Sequence, residues 1–233
     1  MVAPIGTWGP VVNNGREPPQ SAKERSLALQ KSLLSRTLNL VDAQGKTIST
    51  AGSLLNEIRR VLVGVTVLEE NNRLENSMDD IWSLLKLMAP EAALRDSTQR
   101  RLSGIPVRGA RYVLLGGGHP KSTNFDRDPE VPHFRRIDGA RFEFRLIIEE
   151  LARDAPLAIL SYGFEIRFPG KMPPWVRFDL NLPGHDNVEE GLRAHFHPGT
   201  EDWSVPSPVL TPQEALDLML WHTCEKGERK PRT

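Results

Sequence analysis

Two stretches of the C-terminal half carry the pattern that decides the fold. They are Trp175-Val-Arg-Phe-Asp-Leu-Asn181 and, after a turn, Gly191-Leu-Arg-Ala-His-Phe-His-Pro-Gly199. Each stretch alternates apolar and polar residues, and successive side chains of a strand point to opposite faces of its sheet. Both stretches therefore predict strands with one apolar and one polar face. If the strands pair, their polar faces bring together two arginines, one aspartate and two histidines: Arg177, Asp179, Arg193, His195 and His197.

Further strands are predicted upstream, at residues 112–115, 142–146 and 157–168, where apolar residues recur and glycine or proline follows. Several strands at short spacing, joined by tight turns, indicate an antiparallel meander. After the last strand, Thr211-Pro-Gln-Glu214 has a capping Thr, Pro at the first helical position and Glu at the third. These features predict the start of a C-terminal helix.

The N-terminal half shows helical rather than strand periodicity. Apolar residues recur at helical spacing and predict four helices, at residues 21–41, 53–70, 77–90 and 91–102. Ser77 with Asp80 resembles an N-terminal capping box. The predicted fold class is α+β: an N-terminal helical bundle, then an antiparallel β-meander closed by a C-terminal helix.

The same patterns divide the chain into segments. Residues 1–20 are rich in Pro, Gly and Asn, and predict a disordered leader. A helical domain is predicted at 21–104, and an antiparallel α+β domain at 110–226. A charged tail follows at 227–233.

Composition excludes several classes of protein. The chain has 233 residues and a formal net charge of zero, so a strongly cationic protein that coats nucleic acid is not indicated. The single cysteine, Cys224, excludes an internal disulfide framework and a cysteine-based zinc cluster, and fits a reducing cytoplasm. No signal peptide and no apolar run long enough to cross a bilayer are found. We therefore predict a cytoplasmic protein that does not contact membrane.

The polar faces of the two decisive strands suggest a metal site. His195 and His197 lie two apart on one strand face, which is the usual His-x-His arrangement for a single ion. Asp179 on the paired strand, or Glu201 four residues after His197, can supply an oxygen ligand. Imidazole and carboxylate together suit one divalent transition metal such as Zn, Fe, Mn or Ni.

Metal-free acid–base chemistry is a second hypothesis for the same residues. Two histidines that titrate near neutrality, oriented by Asp179, can cleave a phosphodiester as general base and general acid. Arg177 and Arg193 would hold the phosphate and stabilise its developing charge. The third hypothesis is structural: His195 bonds Asp179 across the strand pair, and His197 braces the turn that follows.

The order Arg177-Phe-Asp179, Gly184-His185, His195-Phe-His197, a Ser-Pro turn and a terminal helix resembles small prokaryotic toxins of the TumE type. The resemblance covers about residues 157–222. It implies a toxin–antitoxin or phage-defence setting, an antitoxin partner and RNA as target. The leading expectation is thus a defence-associated protein acting on nucleic acid, a ribonuclease with an Arg/Asp/His site. The competing class is a non-enzymatic interaction module whose helices recruit a partner.

Overall fold

The alternating stretches of the C-terminal half form the centre of one antiparallel sheet. The computed structural model describes residues 40–67, 73–121, 125, 128, 130–152, 155–185 and 192–223. The strands are β1 Leu85–Met88, β2 Ala110–Gly116, β3 Phe134–Arg135, β4 Arg141–Glu150, β5 Ala158–Arg167, β6 Trp175–Leu180, β7 Ala194–His197 and β8 Val205–Pro206. The helices are α1 Ala51–Val67, α2 Met78–Leu84, α3 Pro90–Ala93, α4 Asp96–Ser103 and α5 Pro212–Asp217, which continues as a π-helical turn at Leu218–His222.

The eight strands lie in the order β1-β2-β4-β5-β6-β7-β8, with β3 also pairing with β4. Every pairing is antiparallel. The two decisive strands pair as predicted: Asp179 lies opposite His195, and Arg177 opposite His197. This pairing places the Arg/Asp/His set on one face of the sheet, because side chains directly opposite each other share a face.

The apolar face of the sheet carries the main core. Phe134, Phe142, Phe144 and Phe164 are fully buried, and their rings stack with centroids 5.0–5.9 Å apart. One helix from each end of the described chain covers this face, through Leu54, Ile58 and Leu62 of α1 and through Leu216 of α5 with Met219 and Leu220 of the following turn. Helix α1 and the sheet therefore share a single hydrophobic core.

The predicted N-terminal helical bundle is wrong for the described residues. Helix α1 forms close to where it was predicted, but it packs on the sheet and not in a bundle. The predicted helix at 77–90 ends at Leu84, and Leu85–Met88 instead forms the edge strand β1 against β2. Leu85-Lys-Leu87 alternates apolar and polar residues, so the segment fits a strand as well as a helix. The edge of β2 offers backbone hydrogen-bond partners, and this pairing overrides the local helix preference.

Other local predictions have mixed outcomes. The capping boxes at Ser77 and Thr211 are both present and confirm the starts of α2 and α5. The predicted helix at 91–102 is split into α3 and α4. The predicted helix at 21–41 falls outside the described residues except at its end, where Val41 forms a β-bridge with Thr47.

The leader at 1–20 and the tail at 227–233 also lie outside the described residues, and the domain boundaries stay a prediction. Over the part of the chain that the structure describes, no helix is both long enough and apolar enough to span a membrane.

Gly116 tests the packing of the apolar face. A Cβ at this position would overlap the Phe144 ring, whereas a Cβ at the helical Gly64 would meet no atom within 4 Å. We expect Gly116→Ala to lower the free energy of unfolding by about 1–3 kcal/mol through overpacking. The matched Gly64→Ala should raise it by about 0.5–1 kcal/mol through helix propensity. Urea denaturation measures both, and an equal effect of the two variants would contradict the packing described.

Candidate functional site

The second face of the sheet is divided between an apolar and a polar half. Helices α3 and α4 cover the apolar half, where Leu94 and Leu102 pack on Val113, Leu115 and Ile147. The polar half spans β4 to β7 and contains two cross-strand rows of side chains. In register, the first row is Glu143, Glu165, Arg177 and His197, and the second is Arg145, Gly163, Asp179 and His195.

Arg177 is the centre of the first row. Its Nε lies 2.7 Å from Asp179 Oδ2, and its two terminal nitrogens bind both oxygens of Glu201 at 2.9 and 2.7 Å. Glu165 Oε2 lies 3.7 Å from the same guanidinium. Burial by itself lowers the pKa of Arg177, but the charges and hydrogen bonds of Asp179 and Glu201 raise it above its usual value. Arg177 therefore stays charged and holds three carboxylates together.

Arg167 continues the ion pairs towards β4. Its Nε donates to Glu165 at 2.7 Å, one terminal nitrogen pairs with Glu143, and the other lies 3.1 Å from His133 Nε2. We call the connected set of Glu143, Glu165, Asp179, Glu201, Arg167 and Arg177 the polar network. It contains four carboxylates and two guanidinium groups. Carboxylates that are withdrawn from water, such as that of Glu165, are costly unless cations lie close to them.

Backbone carbonyls fix the orientation and the proton of both histidines. His195 Nδ1 lies 2.7 Å from the Leu192 carbonyl oxygen, and His197 Nδ1 lies 2.9 Å from that of Trp203. A carbonyl oxygen can only accept a hydrogen bond, so each Nδ1 must carry the proton. The Nε2 atom of each neutral imidazole then presents a lone pair.

These two lone pairs converge with a carboxylate oxygen. The Nε2 atoms lie 3.1 Å apart, and Asp179 Oδ2 lies 3.5 Å from that of His197 and 3.8 Å from that of His195. Burial lowers the pKa of His195, and the charge of Asp179 offsets this only in part. Three acceptor atoms thus face one another, an arrangement that requires a cation or a shared proton between them.

The spacing of the three atoms fits a metal ion. The point equidistant from them lies about 2.0 Å from each, the usual length of a zinc–nitrogen or zinc–oxygen bond. Asp179, His195 and His197 are also the one group of three or more metal-ligating side chains whose ligand atoms converge among the described residues. The predicted fourth ligand, Glu201, lies against Arg177, which takes both of its oxygens.

The other predicted phosphate-binding residue, Arg193, lies apart from this cluster. Its Nε donates to the backbone carbonyl of Asn181 at 3.4 Å, and burial lowers its pKa. It precedes β7 and contacts the backbone just after β6, and among the described residues no hydrogen bond or ion pair joins it to Asp179. Arg177 alone of the two predicted arginines contacts Asp179.

A cavity of about 310 Å³ opens beside the cluster. Asp179 and Arg177 line it, but among the described residues neither His195 nor His197 does. The histidines are only 3% and 7% exposed. A substrate in this cavity would reach the Asp179 carboxylate and not the imidazoles, so the geometry supports the metal hypothesis better than direct acid–base catalysis by two histidines.

The sequence pattern did not identify four residues of this face as members of the site: Glu143, Arg145, Glu165 and Arg167. They alternate with apolar residues in their strands, which is the pattern of an ordinary half-exposed strand. A distinguishing signal was available in the mixture of both charge signs at alternate positions of neighbouring strands, which suits cross-strand ion pairs.

The interaction-module hypothesis expects an exposed apolar patch on the helices. Met78 and Trp82, four residues apart and thus neighbours on α2, are 50% and 53% exposed. The guanidinium of Arg59 lies over the Trp82 ring, 4.4 Å from its centroid. This patch is small, and the protein partner stays a prediction.

Arg177→Gln tests the polar network. Because the change leaves Glu165, Asp179 and Glu201 without their shared cation, we expect a loss of about 3–5 kcal/mol in the free energy of unfolding. Arg135→Gln is the control, since Arg135 pairs with Glu75 at 4.0 Å on the exposed surface and should lose less than about 1 kcal/mol. Chemical denaturation of both variants measures the difference, and similar losses would show that Arg177 is not the centre of the network.

Comparison with known proteins found no match that could assign a function to this site. The chain matches no protein-family model, no curated protein and no solved structure. The resemblance to TumE-type toxins, and with it the expected antitoxin partner and RNA target, therefore stays a prediction from short motifs. The functional conclusion has to come from the chemistry of the residues themselves.

Proposed function

We propose that this protein binds one divalent transition-metal ion through Nε2 of His195, Nε2 of His197 and Oδ2 of Asp179. The observation that carries the proposal is the convergence of these three atoms, at 3.1, 3.5 and 3.8 Å, while both Nδ1 protons are held by carbonyls. Metal-ligating histidines usually donate their other ring nitrogen in this way, which fixes the tautomer and raises ligand basicity.

The charge of the surroundings also supports a divalent cation. Three carboxylates, those of Glu165, Asp179 and Glu201, lie around the guanidinium of Arg177, directly beside the two imidazoles. Two imidazoles and one carboxylate suit Zn, Fe, Mn or Ni. Three protein ligands leave at least one coordination position for water or a substrate atom.

Cleavage of nucleic acid, the activity expected from the sequence, becomes in this proposal a metal-assisted reaction. Asp179 is the one side chain shared by the proposed ion site and the cavity, so a substrate enters next to the ion and beside Arg177. The metal would supply Lewis-acid activation of water or phosphate. The single cysteine suits a cytoplasmic location.

Metal content tests the proposal directly. Wild-type protein, purified without chelator or affinity metal, should contain about one transition-metal ion per chain by elemental analysis. His195→Gln, His197→Gln and Asp179→Asn should each lose most of it, because each removes one of three ligands.

His222→Gln is the matched control. His222 is exposed and lies 3.2 Å from Asp217 in the turn that follows α5, outside the ligand cluster. It should retain the metal of the wild type. Absence of metal from wild type even after incubation with Zn²⁺, Mn²⁺, Fe²⁺ and Ni²⁺ would refute the proposal, as would equal loss in the control.

Metal removal should destabilise the fold. An ion that binds only the native state adds about 2.7 kcal/mol when its free concentration is 100 times its dissociation constant. A chelator should therefore lower the urea midpoint of the wild type and leave that of His197→Gln unchanged. An equal shift in both proteins would mean that the chelator acts elsewhere.

A further inference from the structure

We propose that the site formed by Asp179, His195 and His197 selects zinc in a four-coordinate geometry with one exchangeable position, and that Arg177 determines this selectivity. The inference deepens the proposed function and rests on it. It assigns the site to metal-assisted hydrolysis. It also separates the site from six-coordinate iron centres, which bind their metal through the same residue types, two histidines and one carboxylate.

The spacing of the three ligand atoms favours four ligands over six. At a metal–ligand bond length of about 2.1 Å, neighbouring ligands lie about 3.0 Å apart in an octahedron and about 3.4 Å apart in a tetrahedron. Asp179 Oδ2 lies 3.5 Å from Nε2 of His197 and 3.8 Å from that of His195. The two Nε2 atoms lie 3.1 Å apart, and this distance alone is close to the octahedral value. The triangle as a whole is therefore too open for three adjacent corners of an octahedron.

The two carboxylate oxygens of Asp179 face opposite neighbours, because β6 lies between β5 and β7. Oδ2 faces the histidines of β7, whereas Oδ1 lies over β5, 3.0 Å from where a Cβ at Gly163 would stand. Asp179 therefore gives the ion one oxygen and not two. One oxygen and two imidazole nitrogens make a set of three protein ligands, which zinc completes with one further ligand.

Arg177 keeps the neighbouring carboxylates from adding oxygen ligands. Its Nε donates to Asp179 Oδ2 at 2.7 Å, which fixes the orientation of this carboxylate. Its terminal nitrogens bind both oxygens of Glu201 at 2.9 and 2.7 Å, and one of them lies 3.7 Å from Glu165 Oε2. Carboxylate oxygens are ligands that suit Mn²⁺, so a guanidinium that engages them favours zinc.

The burial of the histidines limits the solvent at the ion. A six-coordinate ion with three protein ligands must bind three waters or substrate atoms, whereas a four-coordinate ion binds one. His195 and His197 are buried, and of the three ligands Asp179 alone borders the cavity, as far as the described residues show. Solvent therefore reaches the ion from one side, which suits a single exchangeable position. Hydrolytic zinc sites have this arrangement, and their open position holds the water that the ion activates.

Cobalt substitution and metal competition test the coordination. Co²⁺ absorbs visible light strongly in a four-coordinate site and weakly in a six-coordinate one, because an octahedral field is close to centrosymmetric. Wild type freed of metal by a chelator and loaded with Co²⁺ should give the strong band, and azide should shift it by taking the exchangeable position. In competition, zinc should bind at least about tenfold more tightly than Ni²⁺, which reverses the order that ligand type alone would give.

Arg177→Lys tests the role of Arg177. Lysine keeps the positive charge, but one ammonium cannot hold Asp179 Oδ2 and both oxygens of Glu201 in the paired geometry of a guanidinium. We expect the preference for zinc over Mn²⁺ to fall about tenfold or more, in line with the effect of groups that orient metal ligands. Arg167→Lys is the matched control, because Arg167 is a guanidinium of the same network that pairs with carboxylates of β4 and β5. It should keep the wild-type preference.

The outcomes separate this inference from the proposed function. Wild type that takes up no metal would overturn both. Bound metal with a weak cobalt band, with no response to azide, or with nickel bound at least as tightly as zinc would overturn the four-coordinate zinc site and leave the ion site intact. If Arg177→Lys changes the affinities for zinc and Mn²⁺ by the same factor, or binds neither, Arg177 does not determine the selectivity, and the cobalt spectrum of wild type still decides the geometry.

Discussion

The polar half of the sheet depends on the ion pairs of Arg177. Strands β5 and β6 bury their apolar face under α1 and α5, and their other face is also largely withdrawn from water. Carboxylates in such a position cannot remain ionised without cations at close range. Arg177 reaches Glu165, Asp179 and Glu201 at once, and so connects two strands, β5 and β6, with the loop after β7.

The same guanidinium also sets the geometry of the proposed ion site. Its Nε holds Asp179 Oδ2 on the side facing β7, where the register of the sheet places His195 opposite Asp179. Carbonyls of Leu192 and Trp203 then turn both imidazoles so that their Nε2 atoms meet that oxygen. Each of the three proposed ligands is thus oriented by a further hydrogen bond, Asp179 by Arg177 and the two histidines by backbone carbonyls, as a preorganised metal site requires.

How much of this could be predicted depended on whether the pattern was local. The pairing of the two decisive strands, and the meeting of Asp179 with His195 and His197, follow from period-two alternation across one turn. The capping boxes at Ser77 and Thr211 are equally local. Strand β1 was missed because the free edge of β2, 25 residues further along the chain, decides its conformation.

The rest of the polar network was not predicted, because the mixed charges of neighbouring strands indicate ion pairs only if their face of the sheet is buried. Glu143, Glu165 and Arg167 have the residue types of a solvated strand face, and only the packing of the chain over that face makes them ion pairs. Gly163 likewise looks like a weak point in a strand, whereas the Phe125 ring and Asp179 pack so closely over its backbone that no side chain would fit. Ion pairing and close packing are properties of the assembled sheet and have no signature in one segment.

The choice between a structural histidine pair and a metal site turns on what fills the space between the Nε2 atoms. A shared proton would have to be bound by an imidazole, and burial lowers the pKa of His195. A divalent ion needs no protonation and would have all three acceptor atoms as ligands. The proposed metal site is thus the arrangement in which His195, His197 and Asp179 share one partner.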